Sequence, residues 1–328
     1  MAVDWALAHP CELRQTALVL DWAGDQITEE QRKRLLGATC PANPSSLAVA
    51  SRDALFMQVA AGADTEELVE RTSKPLLAYL QSHDWQDPRQ LYAAFEYLYT
   101  VRSVQHVDLR ESDPRFFQQL PAAFLLALEP KQTEQPDWWT HAAGLALVAI
   151  DPNLPAAQFL QGWAMEDRQM VREGEGVAYE LLWADPYLPG VGYENMDPWS
   201  YGEDGTLLAR TDWNQDACWV QVLRGKVQQE DCPNGWQTKT MAFGRLTLVP
   251  MTGNCIAVPR HRNDESVIVS QLRPSQPVHF ILNGAKVSQT ADPSGMWLTP
   301  GNADGEVCTS LDTLKVPQGR KSTRISPN

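Results

Sequence analysis

Tyr92 and Glu96 lie one helical turn apart in RQLYAAFEYLYTVRSVQ (89–105). A helix there puts a phenol and a carboxylate on one face, and Tyr99 extends the row. Such a row reads as a substrate-facing catalytic set or as an aromatic core stripe beside a solvated carboxylate. His141 follows Trp138 and Trp139 in DWWTHAAGLALVAID. Tryptophan rings pack on the C–H faces of sugars, so His141 is the third catalytic candidate; the plainer reading is buried bulk. Arg52 and Arg102, with Arg110, are cations that can neutralise a substrate carboxylate, although Arg52 is a poor base at neutral pH. Glu96, Asp108, Glu180 and Asp185 can supply the paired carboxylates of a glycoside hydrolase. The separation that chemistry needs is spatial, and no sequence spacing selects two of them. His106, just ahead of Asp108, reads as a helix end or as an oriented imidazole.

The segment LWADPYLPGVGYENMDPWSYG (182–202) is too rich in proline and glycine for a regular helix or a central strand. It is also too aromatic for a flexible linker. It reads as a rigid joint between two domains, or as a wall in which Tyr187, Tyr193 and Trp199 bind substrate.

The elements that must position these residues differ in kind along the chain. Residues 1–186 read as about nine helices. TEEQRKRLLG opens on a capping box at Thr28 and stops at Gly37. SSLAVASRDALFMQVAAG (45–62) presents Leu47, Ala50, Ala54, Met57 and Ala61 on one face. Pro75 is expected to kink or split the helix that begins near Asp64. After residue 200 the pattern becomes short, β-branched runs such as ACWVQVLRG, ESVIVSQL and VHFILNG, punctuated by Gly, Pro, Asn and Asp. The expected domains are therefore 1–186, helical, and 187–328, β, ending in a polar, frayed PQGRKSTRISPN.

Charge follows the same division. Residues 1–186 hold 14 Lys+Arg against 27 Asp+Glu, a net of −13, and residues 187–328 hold 13 against 14, a net of −1. The overall −14 argues against a nucleic-acid partner. No run of about 18 apolar residues exists, so no membrane span is expected. MAVDWALAHPCELRQ lacks a basic stretch followed by an apolar core, so it is not expected to be a signal peptide. The six cysteines show no zinc-site spacing; they read as buried free thiols, with a Cys218–Cys232 bridge as the alternative. No nucleotide, flavin or metal fingerprint is present, so no cofactor is expected.

LVLDWAGDQITEEQRKRLL (18–36), LLWADPYLPG (181–190) and LLARTDWNQDACWVQV (207–222), with helices before strands, resemble the heparinase II/III-like polysaccharide lyases. The resemblance implies an incomplete α/α toroid of antiparallel helix pairs followed by a C-terminal antiparallel β-sandwich. It also implies a polysaccharide or oligosaccharide partner and β-elimination at uronic acids. That reaction needs a neutralised carboxylate, a base for the C5 proton, and an acid for the leaving oxygen. Tyr92 stands at the point comparable to the family's catalytic tyrosine. Ser51 and Arg52 stand where the family carries Asn/His. RGKVQQEDCPNGWQTKTMAFG (224–244) lacks the family's histidine, and His261 and His279 come later. The expected function is thus a carbohydrate-active lyase-like protein; the alternatives are a catalytically degenerate binding or structural protein and a glycoside hydrolase. Family likeness favours a periplasmic or extracellular location.

Overall fold

A computed structural model describes residues 1–314 except 39, 41–45, 167, 172, 173, 175, 203, 260–263, 301 and 302. His261 and the tail 317–328 therefore lie outside the described residues. The chain divides into two compact units, Met1–Asn195 and Met196–Asn328. The expected boundary at 186/187 lies on the helical side of this division.

The first unit is helical. Its α-helices are α1 (Ala2–Ala8), α2 (Leu13–Trp22), α3 (Glu29–Leu36), α4 (Leu47–Ala61), α5 (Glu66–Gln81), α6 (Pro88–Gln105), α7 (Pro114–Ala127), α8 (Pro130–Glu134), α9 (Trp138–Ile150), α10 (Pro155–Ala164) and α11 (Gly176–Trp183). Their starts follow from side chains that satisfy the free N–H groups of a first turn. Thr28 Oγ1 accepts from Gln31 N while Gln31 Oε1 accepts from Thr28 N. Asp87, Asp113 and Asp137 cap α6, α7 and α9 by accepting from Arg89 N, Phe116 N and Thr140 N. His106 closes α6 in the left-handed region, with φ 56°, so it is a helix end.

Two sequence expectations need adjusting here for physical reasons. Pro75 does not split α5 in two; it lies within one helix. It is exposed, as is Arg71, so the Arg71 carbonyl left without an N–H partner faces water. On α4, the buried positions are Ala48, Ser51, Arg52 and Leu55, and Leu47 is exposed. The helix is alanine-rich all round, and tertiary packing chose the stripe that carries the arginine.

Helices α2, α4, α6, α9 and α11 pack as a row, each against the next. Residues 185–195 lie on α10. Val191 N donates to Gln158 O at 2.9 Å, and Gln161 Nε2 donates to Asp185 O at 2.8 Å. The approach requires glycine, because a Cβ on Gly162 would come within 2.0 Å of Val191 O.

The second unit is built of strands β1 (Trp199–Tyr201), β2 (Leu207–Arg210), β3 (Trp219–Leu223), β4 (Lys226–Glu230), β5 (Met241–Phe243), β6 (Leu246–Pro250), β7 (Cys255–Ala257), β8 (Ser266–Ser270), β9 (Pro277–Leu282), β10 (Ala285–Thr290), β11 (Trp297–Leu298) and β12 (Ala303–Cys308). They form three four-stranded sheets, ordered β1-β2-β3-β4, β10-β9-β12-β7 and β11-β8-β6-β5. The all-antiparallel expectation needs one correction. β6 and β8 run parallel, from Leu246 opposite Ser266 to Pro250 opposite Ser270. Alternation explains where these two strands sit. Leu246, Leu248 and Ile268 join the core of the first sheet. Val249, Val267 and Val269 join that of the second. A sheet covered on both faces reads as an unbroken apolar run, as SVIVS does.

The six cysteines form three disulfides, Cys11–Cys40, Cys218–Cys232 and Cys255–Cys308. This overturns the free-thiol reading. The pairs lie across sequence separations of 29, 14 and 53 residues, and partners are 4.1–5.3 Å apart at Cα, inside the limit of about 7 Å beyond which two cysteines cannot be bridged.

Candidate functional site

The helical row builds a cleft of about 1290 Å³ within the first unit. Its walls are aromatic: Trp22 from α2, Tyr99 from α6, Trp138 and Trp139 from the first turn of α9, and Tyr179 and Trp183 from α11. Trp138 and Trp139 stack at 3.9 Å, and Tyr179 leans on Trp138 at 5.0 Å. The Arg89 guanidinium lies 5.0 Å above the Trp139 ring.

The floor is ionic and buried. Glu96 is 2% exposed. Arg14 Nη2 donates to its Oε1 at 2.5 Å, and Arg14 Nε reaches Oε1 and Oε2 at 3.0 and 2.9 Å. Arg52 Nη1 donates to Oε2 at 3.2 Å, and Tyr92 Oη donates to Oε1 at 2.8 Å. Arg52 turns its other edge to Asp53, whose Oδ1 accepts from Nε at 2.8 Å and Nη2 at 2.6 Å. A forked guanidinium suits this bridging, which an ammonium would not reproduce. Burial works against the Arg14 charge, but the bond and the field of Glu96 outweigh it and hold Arg14 above the ordinary arginine range.

Tyr92 is fully buried and does not line the cleft. Its oxygen accepts from Trp183 Nε1 at 3.0 Å and from Arg14 Nη2 at 3.3 Å while its hydrogen goes to Glu96. One donor and two lone pairs are thus all engaged. Burial, then the Glu96 charge, push the phenol far above the usual tyrosine range. It remains a neutral support for the floor. Burial also raises Tyr179, against the pull of Arg14.

Asp53 is raised above the usual carboxylate range, first by burial and only partly offset by Arg52. The folded chain therefore holds this proton to higher pH than the unfolded chain does. Stability from that proton is full below the ordinary Asp range and is lost as pH rises through the raised folded value. Urea unfolding across pH, wild type against Asp53→Asn, should show the difference moving against the wild type as pH rises. A pH-independent difference would contradict the shift.

The structure brings Tyr92, Glu96 and Arg52 together, sets Tyr99 in the cleft wall, and places the other candidate site residues elsewhere. His141 is buried and absent from the cleft lining. Its Nε2 faces Ala164 O at 2.8 Å and must donate, and its Nδ1 lies 3.1 Å from Glu180 Oε2. His141 and Glu180 are thus in contact between α9 and α11, away from the cleft. Arg102 Nη1 and Arg110 Nη1 both donate to Ile150 O, at the end of α9. Arg110 also pairs with Asp108, and its hydrogen bonds hold that carboxyl below the usual range. Asp185 accepts from Tyr187 N in a turn. Tyr187 projects into solvent, 94% exposed, and Tyr193 is buried with its oxygen accepting from Arg168 Nη2 at 2.9 Å. Trp199 packs against the core of the strand unit. His279, in the same unit, bonds Ser288 Oγ through Nδ1.

The residues missed from sequence are Arg14, Trp22, Asp53, Arg89, Tyr179 and Trp183. Arg14 alone left a trace: on α2 it sits three residues before Ala17 and six before Leu20, on the buried stripe. A charge on an apolar stripe marks a buried partner. Among the described residues, no group of three or more His, Cys, Asp or Glu is arranged to hold a metal ion. No described helix is long and apolar enough to cross a membrane. No protein-family model matches the chain, and no curated protein or solved structure is significantly similar to it.

Proposed function

We propose that the helical unit is a saccharide-binding module of the heparinase-like type, an incomplete α/α toroid joined to a β-sandwich, in which Tyr92 and Glu96 build the site without performing β-elimination. One observation carries the reading: an open aromatic-walled cleft rests on a floor in which Arg14 and Arg52 both bond the buried Glu96. Aromatic faces in such a cleft suit the C–H faces of pyranose rings, and a few polar groups orient the hydroxyls. The row α2, α4, α6, α9, α11, with α5, α7 and α10 packed against it, supports the toroid reading. The stacked sheets support the sandwich. Three disulfides favour an oxidising compartment, in keeping with export.

Elimination needs a base near the C5 proton and an acid at the leaving oxygen, and a phenol that is fully buried, absent from the cleft lining and donating its hydrogen to Glu96 reaches neither. Titrating saccharides against tryptophan fluorescence tests the proposal. Binding should shift the emission, Trp139→Ala should weaken it about tenfold, and neither unsaturated products nor new reducing ends should form. Unsaturated products that vanish in Tyr92→Phe would restore the lyase reading. A flat response to every saccharide would remove the binding one.

A further inference from the structure

We infer that the ligand of this cleft is a neutral, hydroxyl-presenting saccharide rather than a polyuronate, and that Asp53 is the side chain that selects it. The inference rests on the saccharide-binding reading above.

A uronate site must offer a cation with room for a carboxylate. Here the two buried cations give most of their donors to buried carboxylates; only Arg14 Nη1 has no such partner, and the Arg14 guanidinium lies 5.1 Å over the Tyr179 ring. Arg14 spends Nε and Nη2 on Glu96, and Arg52 spends Nη1 on Glu96 and its Nε and Nη2 on Asp53. A substrate carboxylate could reach Arg52 only by displacing Asp53 or Glu96, which would leave a partly buried carboxylate without its cation. The third cation, Arg89, is exposed and lies over Trp139. Arg14, Arg52 and Arg89 face four carboxylates in the lining, Glu12, Asp53, Asp87 and Glu96, a net of −1. The chain around the cleft adds repulsion, with residues 1–186 at −13 from 14 basic against 27 acidic side chains.

What the cleft does offer is an acceptor. Asp53 Oδ1 is clamped by Arg52, whereas its Oδ2 accepts no hydrogen bond from a described residue, and the side chain is 16% exposed. A carboxylate oxygen held by its neighbour and open on its other side accepts from sugar hydroxyls in a fixed direction. The aromatic walls then take the ring faces. A neutral hexose chain satisfies both without introducing a charge that the floor cannot match.

The test compares neutral hexose oligosaccharides (cello-, malto-, laminari- and manno-hexaoses) with oligogalacturonate and oligoguluronate of the same length, by calorimetry and tryptophan fluorescence at low and high salt. At least one neutral chain should bind about tenfold or more tighter than either uronate, with little dependence on salt. Asp53→Asn should weaken that neutral chain about tenfold, through loss of a charged acceptor, and should improve uronate binding by freeing an edge of Arg52. Tighter, salt-sensitive uronate binding by the wild type would overturn the inference and leave the saccharide reading intact. So would a neutral affinity unmoved in a folded Asp53→Asn. Failure of every saccharide to bind would overturn both. The wild-type selectivity and salt dependence need no variant, so the outcome does not hang on how well Asp53→Asn folds.

Discussion

Arg14→Ala is expected to destabilise the helical unit by about 3 kcal/mol, the low end of what breaking a buried ion pair by removing one partner costs. An exposed pair would lose under about 1 kcal/mol. The difference lies in burial: the side chains of Arg14 and Glu96 are 9% and 3% exposed. Without Arg14, Glu96 keeps Arg52 Nη1 and the Tyr92 hydroxyl, which is why the loss stays at the low end. Tyr92 would also lose a donor to its oxygen. Arg14→Lys keeps the charge but not the fork, and should fall between wild type and alanine. Glu96→Gln in the Arg14→Ala background should cost much less than Glu96→Gln alone, because the partner is already gone. Urea unfolding followed by the helical circular dichroism signal reads all four. A loss under about 1 kcal/mol in Arg14→Ala would place the pair in a more polar setting than its burial implies.

The floor is half legible in the sequence, where Tyr92 and Glu96 read either as a catalytic row or as a core stripe beside a solvated carboxylate. The i,i+4 spacing of Tyr92 and Glu96 is a local fact, and the helix delivered it. Arg14 lies 82 residues from Glu96. Nothing local ties the two, and only a charge on the buried stripe of α2 hinted at a partner. The core-stripe reading fits Tyr92, which burial and three hydrogen bonds make a support, while Glu96 is buried rather than solvated. Trp138 and Trp139 do line the cleft, but two positions further on the helix has turned His141 toward Trp163 and Ala164. The strands divide similarly. β3, β8 and β9 were legible from apolar runs. β4 (KVQQE) and β10 (AKVSQT) are largely exposed, so no alternation announces them, and pairing alone makes them strands. The parallel β6–β8 ladder depends on which strands neighbour in space, which composition does not encode.

Removing the Cys255–Cys308 bridge by a double alanine substitution should destabilise the strand unit by about 4 kcal/mol, from the loop entropy its closure removes from the unfolded chain. The 53-residue separation is the longest of the three, and the other bridges span 29 and 14 residues. The same relation gives about 3 kcal/mol for Cys218–Cys232, which staples the β3–β4 hairpin just outside its paired residues. Position reinforces the ranking. Cys308 and Cys255 sit opposite each other where β12 pairs with β7, and Cys308 is fully buried against Ile281 and Leu314. Cys308→Ala therefore leaves a small cavity beyond the lost entropy. Against a stability of about 5–15 kcal/mol for a domain, the loss is large enough to unfold a marginal unit at body temperature. Calorimetry of the two double mutants, read on the strand-unit transition, should place the Cys255/Cys308 variant lower in Tm than the Cys218/Cys232 variant. The reverse order would show that the strength of the strand unit near Cys255 comes from its sheets and not from the chain crossing that the bridge closes.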